Sequence, residues 1–192
     1  MQNKLYKENK LFLITIGGGR VLNSNIENHD VRWLCGKSIK DTFSQLRKEW
    51  IGMQKGLHID SYVAINYIDG YKVKVSHCGK SEDTKSNPDN INYLWFVNLG
   101  GYDRNYLNEI HHYGLTVASS AKKAKENAKI NWRFQAIQSH CDNLNSIDLI
   151  KDVDNCKMVK LSTNYKIILE EDPLGRNQFL RPDWYGYLRI DL

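Results

Sequence analysis

Two short segments of the chain carry an acidic residue and a histidine two positions apart. Glu27 and His29 form the first pair, and His58 and Asp60 form the second. Residues i and i+2 of an extended chain project from the same face, so neighbouring segments would bring two imidazoles and two carboxylates together. Such a set suits zinc, manganese or iron(II), and it also suits acid/base catalysis. Asp30 follows His29 directly and extends the candidate set.

A second version of the pattern lies about eighty residues further along the chain. Glu109 and His111 repeat the first pair, His140 and Asp142 repeat the second, and His112 stands where the first copy has an aspartate. The competing interpretation is structural, because a histidine beside an acid often bonds a turn or a strand end. The residue types leave the metal, the catalytic and the structural interpretations open.

A glycine-rich stretch precedes the first pair. Gly17, Gly18 and Gly19 are followed by Arg20, and backbone N–H groups in such a loop can hold an anion beside an arginine. No helix start follows the glycines directly, so neither the P-loop nor the dinucleotide fingerprint is met. Glycines that end a strand also allow a turn or a bulge. The stretch is therefore either an anion-binding loop or a turn or bulge at the end of a strand.

The elements that must position these groups occur twice. Residues 11–18 (LFLITIGG) match residues 94–101 (LWFVNLGG), and Trp50 falls over Trp132 at nearly the same offset. The histidine and acid pairs fall on one another in the same alignment. Because histidine and tryptophan are rare, these coincidences indicate an internal duplication.

Each copy predicts the order β-β-α-β-β. An apolar strand ends at the glycine pair, and a second extended segment follows a polar loop. Ser38 and Ser120 are typical N-cap residues and predict the start of the two helices. Two further strands are expected around a turn, at Asp69-Gly70 in the first copy and at Asp154-Asn155 in the second.

The predicted fold class is α+β, with two tandem β-β-α-β-β repeat units related by pseudo-twofold symmetry and sharing a core or a sheet. We expect the first unit at residues 1–76, a linker at 77–92, the second unit at 93–162 and a C-terminal extension at 163–192. The apolar content of the extension predicts strand-like structure that packs on the body. Two independent domains joined by the linker are the alternative.

Composition narrows the classes of partner and compartment. The net charge of +5 is concentrated in one lysine-rich segment, which a solvated helix face explains without nucleic acid. The apolar run at residues 11–16 is too short for a signal peptide or a membrane span. The four cysteines show no C-x-x-C pair, which is typical of a reduced, cytoplasmic protein, although an exported protein with an atypical signal would look the same. A homodimer is compatible with the sequence, and no physiological partner is indicated.

Several motifs of the first copy occur together in one known family. They are the strand ending in Gly17-Gly18, the segment Glu27-x-His29-Asp30-Val31, Trp50, the segment Leu57-His58-Ile59-Asp60, and the run from Val63 through Asp69-Gly70-Tyr71. In this combination the chain resembles an uncharacterised bacterial family, domain of unknown function 1543, whose members can carry the domain in tandem. The resemblance covers residues 10–76 closely and 93–162 loosely, and it implies a bacterial origin but no reaction.

Two classes of function are compatible with these observations. The first is a non-enzymatic ligand- or partner-binding module built on a duplicated domain. The second is a metal-dependent or acid/base enzyme that uses the Glu-x-His and His-x-Asp segments of the first unit. A divalent metal ion is the cofactor for which the residue types offer ligands.

Overall fold

The computed structural model describes residues 8–19, 24–77, 92–101, 105–132, 153–161 and 164–191. Within these ranges the protein is mostly β-structure with two α-helices. The elements in chain order are β1 (Lys10–Gly18), β2 (Asn28–Gly36), a 3-10 helix (Ile39–Thr42), α1 (Phe43–Glu49), β3 (His58–Ile65), β4 (Tyr67–Ile68), β5 (Tyr71–His77), β6 (Tyr93–Gly101), β7 (Ile110–Ala118), α2 (Ala121–Asn131), β8 (Val153–Met158), β9 (Tyr165–Glu171) and β10 (Trp184–Arg189).

The chain divides into two compact units. Unit 1 contains residues 1–82 together with 160–192, and unit 2 contains residues 83–159. The described strands of unit 1 form one sheet in the order β10-β3-β1-β2 and another in the order β4-β5-β9. Those of unit 2 form a sheet in the order β7-β6-β8. Every pairing within these sheets is antiparallel.

Strand β1 lies in the interior of its sheet, between β2 and β3. Its side chains are buried on both faces of the sheet. The sequence of the strand is therefore continuously apolar and does not alternate between apolar and polar residues. On one face, Phe12, Ile14 and Ile16 pack against Leu46 and Trp50 from the α1 region. The opposite face of β1 ends at Gly17, where the candidate residues lie.

Both helices begin at the serines that the sequence predicts. The carboxylate of Asp41 accepts hydrogen bonds from the backbone N–H of Ser38 at 2.8 Å and from its hydroxyl at 3.2 Å. The chain then makes one 3-10 turn before it continues as α1. In unit 2, the Ser120 hydroxyl accepts from the backbone N–H of Lys123 at 3.3 Å. These contacts satisfy backbone donors that a helix start leaves without an intrahelical partner.

The predicted turn at Asp154-Asn155 is wrong, because both residues lie inside β8. In unit 1, Asp69 and Gly70 have φ values of 49° and 81° and form the tight connection between β4 and β5. A turn of this kind needs positive φ at both residues, and glycine supplies it at little cost. Unit 2 has Asn155 in place of that glycine, and here the chain stays extended beside β6.

The C-terminal extension supplies one strand to each sheet of unit 1. Strand β9 pairs with β5 over its whole length, and β10 pairs with β3 at the sheet edge. Between them, Asp172 and Arg176 form an ion pair at 2.7 Å, and the guanidinium of Arg176 lies 4.0 Å from the centre of the Tyr67 ring. Ile190, just after β10, is 1% exposed within the unit 1 core.

Candidate metal centre

Three strands of unit 1 meet in one row at Gly17. This residue pairs with His29 on β2 and with His58 on β3. Residues directly opposite one another in antiparallel strands project from the same face of the sheet. Both imidazoles therefore project from the same face, with the glycine between them. Their ring centres are 6.5 Å apart at an interplanar angle of 84°.

The approach of the two rings requires glycine at position 17. A Cβ atom there would lie 2.8 Å from Cδ2 and Nε2 of His29 and 3.0 Å from Nε2 of His58. These contacts are with ring atoms that would have to move aside. The absent side chain therefore creates the space in which two histidines face one another.

Two carboxylates complete the group. Glu27 places Oε2 4.0 Å from His29 Nε2 and Oε1 3.8 Å from His58 Nδ1. Asp60 places Oδ2 3.7 Å from His29 Nε2 and Oδ1 3.1 Å from His58 Nε2. Asp60 falls at the register shift between Ser61 and Ile59, where β3 carries one extra residue opposite β1. The structure thus brings together all four residues of the two i, i+2 pairs.

His58 is the buried member of the group, at 2% exposure. Its Nδ1 lies 2.7 Å from the carbonyl oxygen of Gly56. A carbonyl can only accept, so we assign a proton to Nδ1; in the tautomer with that single proton, Nε2 carries the lone pair. That lone pair faces Asp60 Oδ1 at 3.1 Å. Two acceptors at this distance repel one another unless a proton or a metal ion lies between or beside them.

Glu27, His29 and His58 each offer a ligand atom, and these atoms lie within 4.8 Å of one another. Within the described ranges, no other group of three histidines, cysteines or acids meets this spacing. Two imidazoles with one or two carboxylates form a set that suits zinc, manganese or iron(II). The side chains of Glu27 and His29 are 45% and 53% exposed, so the group is open to solvent on one side.

Asp30 lies on the opposite face of β2 from His29. Its carboxylate accepts a hydrogen bond from the Arg32 guanidinium and another from the backbone N–H of Val31 at 2.7 Å. Arg32 in turn lies 3.8 Å from Glu49 of α1. The structure therefore places Asp30 among the contacts between sheet and helix, away from the histidine pair.

Within the described residues, unit 2 repeats half of this arrangement. His111 pairs with Gly100 as His29 pairs with Gly17, and Glu109 lies 3.9 Å from His111. The Nδ1 atom of His111 lies 3.3 Å from the Asn98 side-chain amide. The other predicted ligands of this unit, His140 and Asp142, lie outside the described residues.

The described third strand of unit 2 begins at Val153, which strand pairing makes the counterpart of Ile59. Strand β8 lies beside β6 as β3 lies beside β1, and both pairs shift register at the same point, after Thr15 and after Asn98. In sequence, the residue before Val153 is Asp152, whereas the residue before Ile59 is His58. The sequence alignment instead places His140 over His58, and both Asp152 and His140 lie outside the described residues.

The glycines of the candidate anion loop have close backbone neighbours. At Gly18, with φ of 144°, a Cβ atom would lie 2.6 Å from the Cα of Leu57, and at Gly19 it would lie 1.7 Å from the Met53 carbonyl oxygen. These glycines let the end of β1 cross the loop that precedes β3. Arg20 lies outside the described residues, so the anion loop stays a prediction.

Two C-terminal residues at the site carry no signal in the sequence. The Tyr187 ring lies 4.1 Å from the His58 ring, tilted by 34°. The Asp191 carboxylate accepts a hydrogen bond from the backbone N–H of Gly56 at 2.7 Å. Both residues are more than 125 positions from His58, so only the pairing of β10 with β3 brings them to the site.

Cysteine chemistry is not indicated at the described thiols. Cys35 and Cys156 are half-buried, and burial raises the pKa of both thiols above the usual value. A raised pKa leaves less thiolate, which is the nucleophilic form. Cys78 and Cys141 lie outside the described residues. Neither of the two described helices is long and apolar enough to cross a membrane.

Comparisons with known proteins give a family but no activity. The model of a family described as Domain of Unknown Function (DUF1543) matches residues 24–75 and again residues 107–156. The chain is also similar to the crystal structure of a protein Il1583 from Idiomarina loihiensis. The two share 32% identity and a TM-score of 0.68, over 95% of this chain and 99% of that chain. No curated protein matches the sequence.

Proposed function

This chain belongs to the DUF1543 family, which it matches in two copies, and we propose that its first copy is a binding module for a divalent transition-metal ion. The ligands are Glu27, His29 and His58, with Asp60 as the further carboxylate. This proposal refines the expectation of a non-enzymatic binding module by identifying the ligand. The matching residues of the second copy form only part of such a site within the described ranges.

The observation that carries the proposal is the orientation of His58. Its Nδ1 is occupied by the Gly56 carbonyl at 2.7 Å, while Nε2 points at Asp60 Oδ1 at 3.1 Å. Histidines that bind metals commonly donate their second ring N–H to a carbonyl or a carboxylate, which fixes the tautomer. The ring is buried and oriented by the Gly56 hydrogen bond, with Nε2 directed toward the Asp60 carboxylate.

The chemistry of the donors favours zinc, manganese or iron(II) over magnesium or calcium. Imidazole nitrogen binds the transition metals well, whereas magnesium and calcium prefer oxygen donors throughout. The exposed sides of Glu27 and His29 give the ion a path from solvent. They also leave room for a water molecule or an external ligand in the coordination sphere.

The same opening favours a second candidate function. A metal-bound water is more acidic than bulk water and can attack an ester or a phosphate, so unit 1 would be a metal-dependent hydrolytic enzyme. Hydrolysis of 4-nitrophenyl acetate and 4-nitrophenyl phosphate by zinc- or manganese-loaded protein tests this candidate. Turnover that disappears in Glu27→Gln supports it, and turnover equal to that of free metal contradicts it.

The metal proposal is tested on protein purified without an affinity tag. Zinc, manganese and iron(II) are titrated by calorimetry into the wild type, His29→Ala, the double variant His29→Ala/His58→Ala, and His111→Ala. We expect one tight site per chain in the wild type, its loss in the double variant, and its retention in His111→Ala, which alters the matching histidine of unit 2.

Two outcomes would overturn the metal proposal. The first is the absence of any stoichiometric site in the wild type. The second is unchanged binding in the double variant. If His29→Ala lowers the melting temperature while no metal binds, the group is instead a polar network that holds the loop before β2 against β3.

A further inference from the structure

The C-terminal segment, residues 184–191, lies outside both stretches that match the family, yet it reaches the candidate ligands. We propose that Asp191 is a positioning residue for His58, acting through the backbone of Gly56. The inference rests on the proposed function in so far as His58 binds a metal ion. It adds a residue from the far end of the chain to a site whose ligands all come from the first family match.

A short series of hydrogen bonds links the two side chains. Asp191 Oδ2 accepts from the Gly56 N–H at 2.7 Å, and the Gly56 carbonyl accepts from His58 Nδ1 at 2.7 Å. Gly56 has φ of +84°, a conformation that glycine adopts without strain. This conformation lets one residue face Asp191 with its N–H and His58 with its carbonyl.

Asp191 is itself held firmly. Arg189 donates to both of its carboxylate oxygens at 3.1 Å, and only 4% of the Asp191 side chain is exposed. The Arg189 guanidinium and the Gly56 N–H lower the pKa of the Asp191 carboxyl to about 2. The group is therefore a carboxylate at neutral pH, which is the stronger acceptor for a backbone N–H.

The neighbouring contacts fix the segment in place. The N–H of Ile190 donates to the Leu57 carbonyl at 2.9 Å, and Arg47 donates to the Ile190 carbonyl at 2.8 Å. Tyr187 covers one face of the His58 ring. The edge of that ring is thus held by Gly56 and its face by Tyr187. Residues 187–191 thus contact both the Gly56 backbone and the face of the His58 ring.

The candidate site therefore includes a residue that lies outside the first family match. That match contains all four candidate ligands but not the carboxylate that orients Gly56. Partners that orient a metal-ligating histidine typically change metal affinity by about 10–100-fold when they are removed. We expect Asp191 to fall in this class although it contacts no metal ligand directly.

The test compares Asp191→Ala with Asp172→Ala in the full chain. Asp172 is a matched control, because it is also paired with an arginine, is also 4% exposed, and also has its pKa lowered to about 2. It lies in the turn after β9, and its contacts among the described residues are with Arg176, Gly70 and Gly175 rather than with His58. Zinc affinity is measured by competition with a chelator. The tautomer of His58 is measured by nitrogen-15 NMR of the metal-free protein.

In Asp191→Ala we expect zinc affinity to fall by about 10–100-fold and the His58 signal to change from the Nδ1–H tautomer to a mixture. Asp172→Ala should keep the wild-type tautomer and stay within about twofold of wild-type affinity. Asp191→Asn keeps an acceptor oxygen and should recover most of the affinity. Unchanged values in Asp191→Ala, or equal losses in both alanine variants, would overturn the inference.

Two further cases are covered by the experiment: an Asp191→Ala variant that does not fold, and a wild type that binds no metal. If Asp191→Ala does not fold, Arg189→Gln is measured in its place. This variant should weaken zinc binding by at least threefold, because Asp191 loses the guanidinium that holds its carboxylate. Unchanged zinc binding in Arg189→Gln contradicts the inference. If the wild type binds no metal, the proposed function fails by itself. The NMR measurement then still decides whether Asp191 sets the orientation of His58.

Discussion

Within the described residues, the two units share a hairpin, whereas the group of three possible metal ligands occurs in unit 1. In unit 1 the pairs Gly17–His29 and Gly18–Asn28 end the hairpin of β1 and β2, and in unit 2 Gly100–His111 and Gly101–Ile110 end that of β6 and β7 in the same register. In unit 1 the third strand, β3, brings His58 opposite Gly17, whereas the chain before Val153 in unit 2 lies outside the described residues. The hairpin is therefore common to both units, and the candidate chemistry of unit 1 depends on the strand that lies beside it.

The helices of the two units also contribute side chains of different size to their cores. Helix α1 buries Leu46, and Trp50 follows it at 7% exposure. Helix α2 buries Ala124 and Ala128 instead, and its following tryptophan, Trp132, is only partly buried. Small side chains allow closer approach of a helix to its sheet but remove less apolar surface from water. The α1 region therefore contributes larger side chains to its core than the α2 region does, and substitutions in the α1 region should cost more.

The largest predicted effect compares the two tryptophans. Trp50→Ala should lower the free energy of unfolding by about 3–5 kcal/mol, as expected for a buried aromatic replaced by alanine. Trp132→Ala should cost about 1–2 kcal/mol, because part of that ring already contacts water. Calorimetry that resolves the unfolding transitions measures both variants. Equal losses would show that the two cores are equivalent.

The second prediction concerns the glycines of the two hairpins. Gly17→Ala places a methyl group against both imidazoles, so metal affinity should fall by at least about tenfold, as when a group that orients a ligand is lost. Gly100→Ala makes the same change in unit 2 and should leave metal affinity at the wild-type value. Chelator competition measures both. An unaffected Gly17→Ala would show that the ion binds elsewhere.

The smallest predicted effect comes from the position that differs between the hairpins. His112 lies beside the Trp132 ring, and burial lowers its pKa below 6.5. The unfolded chain therefore binds the proton more readily, so this contribution to stability is present above about pH 6.5 and is lost as the pH falls further. His112→Asn should flatten the dependence of the melting temperature on pH between about 7.5 and 5.5. The control is the range above pH 7.5, where the melting temperatures of both proteins should depend on pH in the same way. If the slope of melting temperature against pH is unchanged at low pH in His112→Asn, the prediction is contradicted.

Local features of the fold were predictable from local chemistry. The N-cap serines, the apolar strands that end in glycine pairs, and the turn at Asp69-Gly70 depend on residues a few positions apart. The family resemblance based on these motifs is confirmed by the match in two segments. The pseudo-twofold relation between the copies stays a prediction.

Long-range pairing was not predictable in the same way. Asp154 and Asn155 are residue types that favour turns, yet β8 is extended across both, with Asn155 paired to Asn98 and Asp154 at the register shift. Strand preference depends on neighbours across the sheet more than on the residue itself. The extra residue at Asp60 had no sequence signal either, although it is the bulge that leaves this carboxylate beside both histidines.

The sequence by itself determined which side chains are available and that they occur in two copies. The i, i+2 spacing of Glu27 with His29 and of His58 with Asp60 already places each pair on one face of an extended chain. Tertiary structure alone decided that the pairs meet, since strand register across Gly17 is a long-range property. It also placed Asp191 at Gly56 and left Asp30 on the other face with Arg32. Side-chain identity is encoded locally, whereas the geometry of a site depends on which distant strands become neighbours.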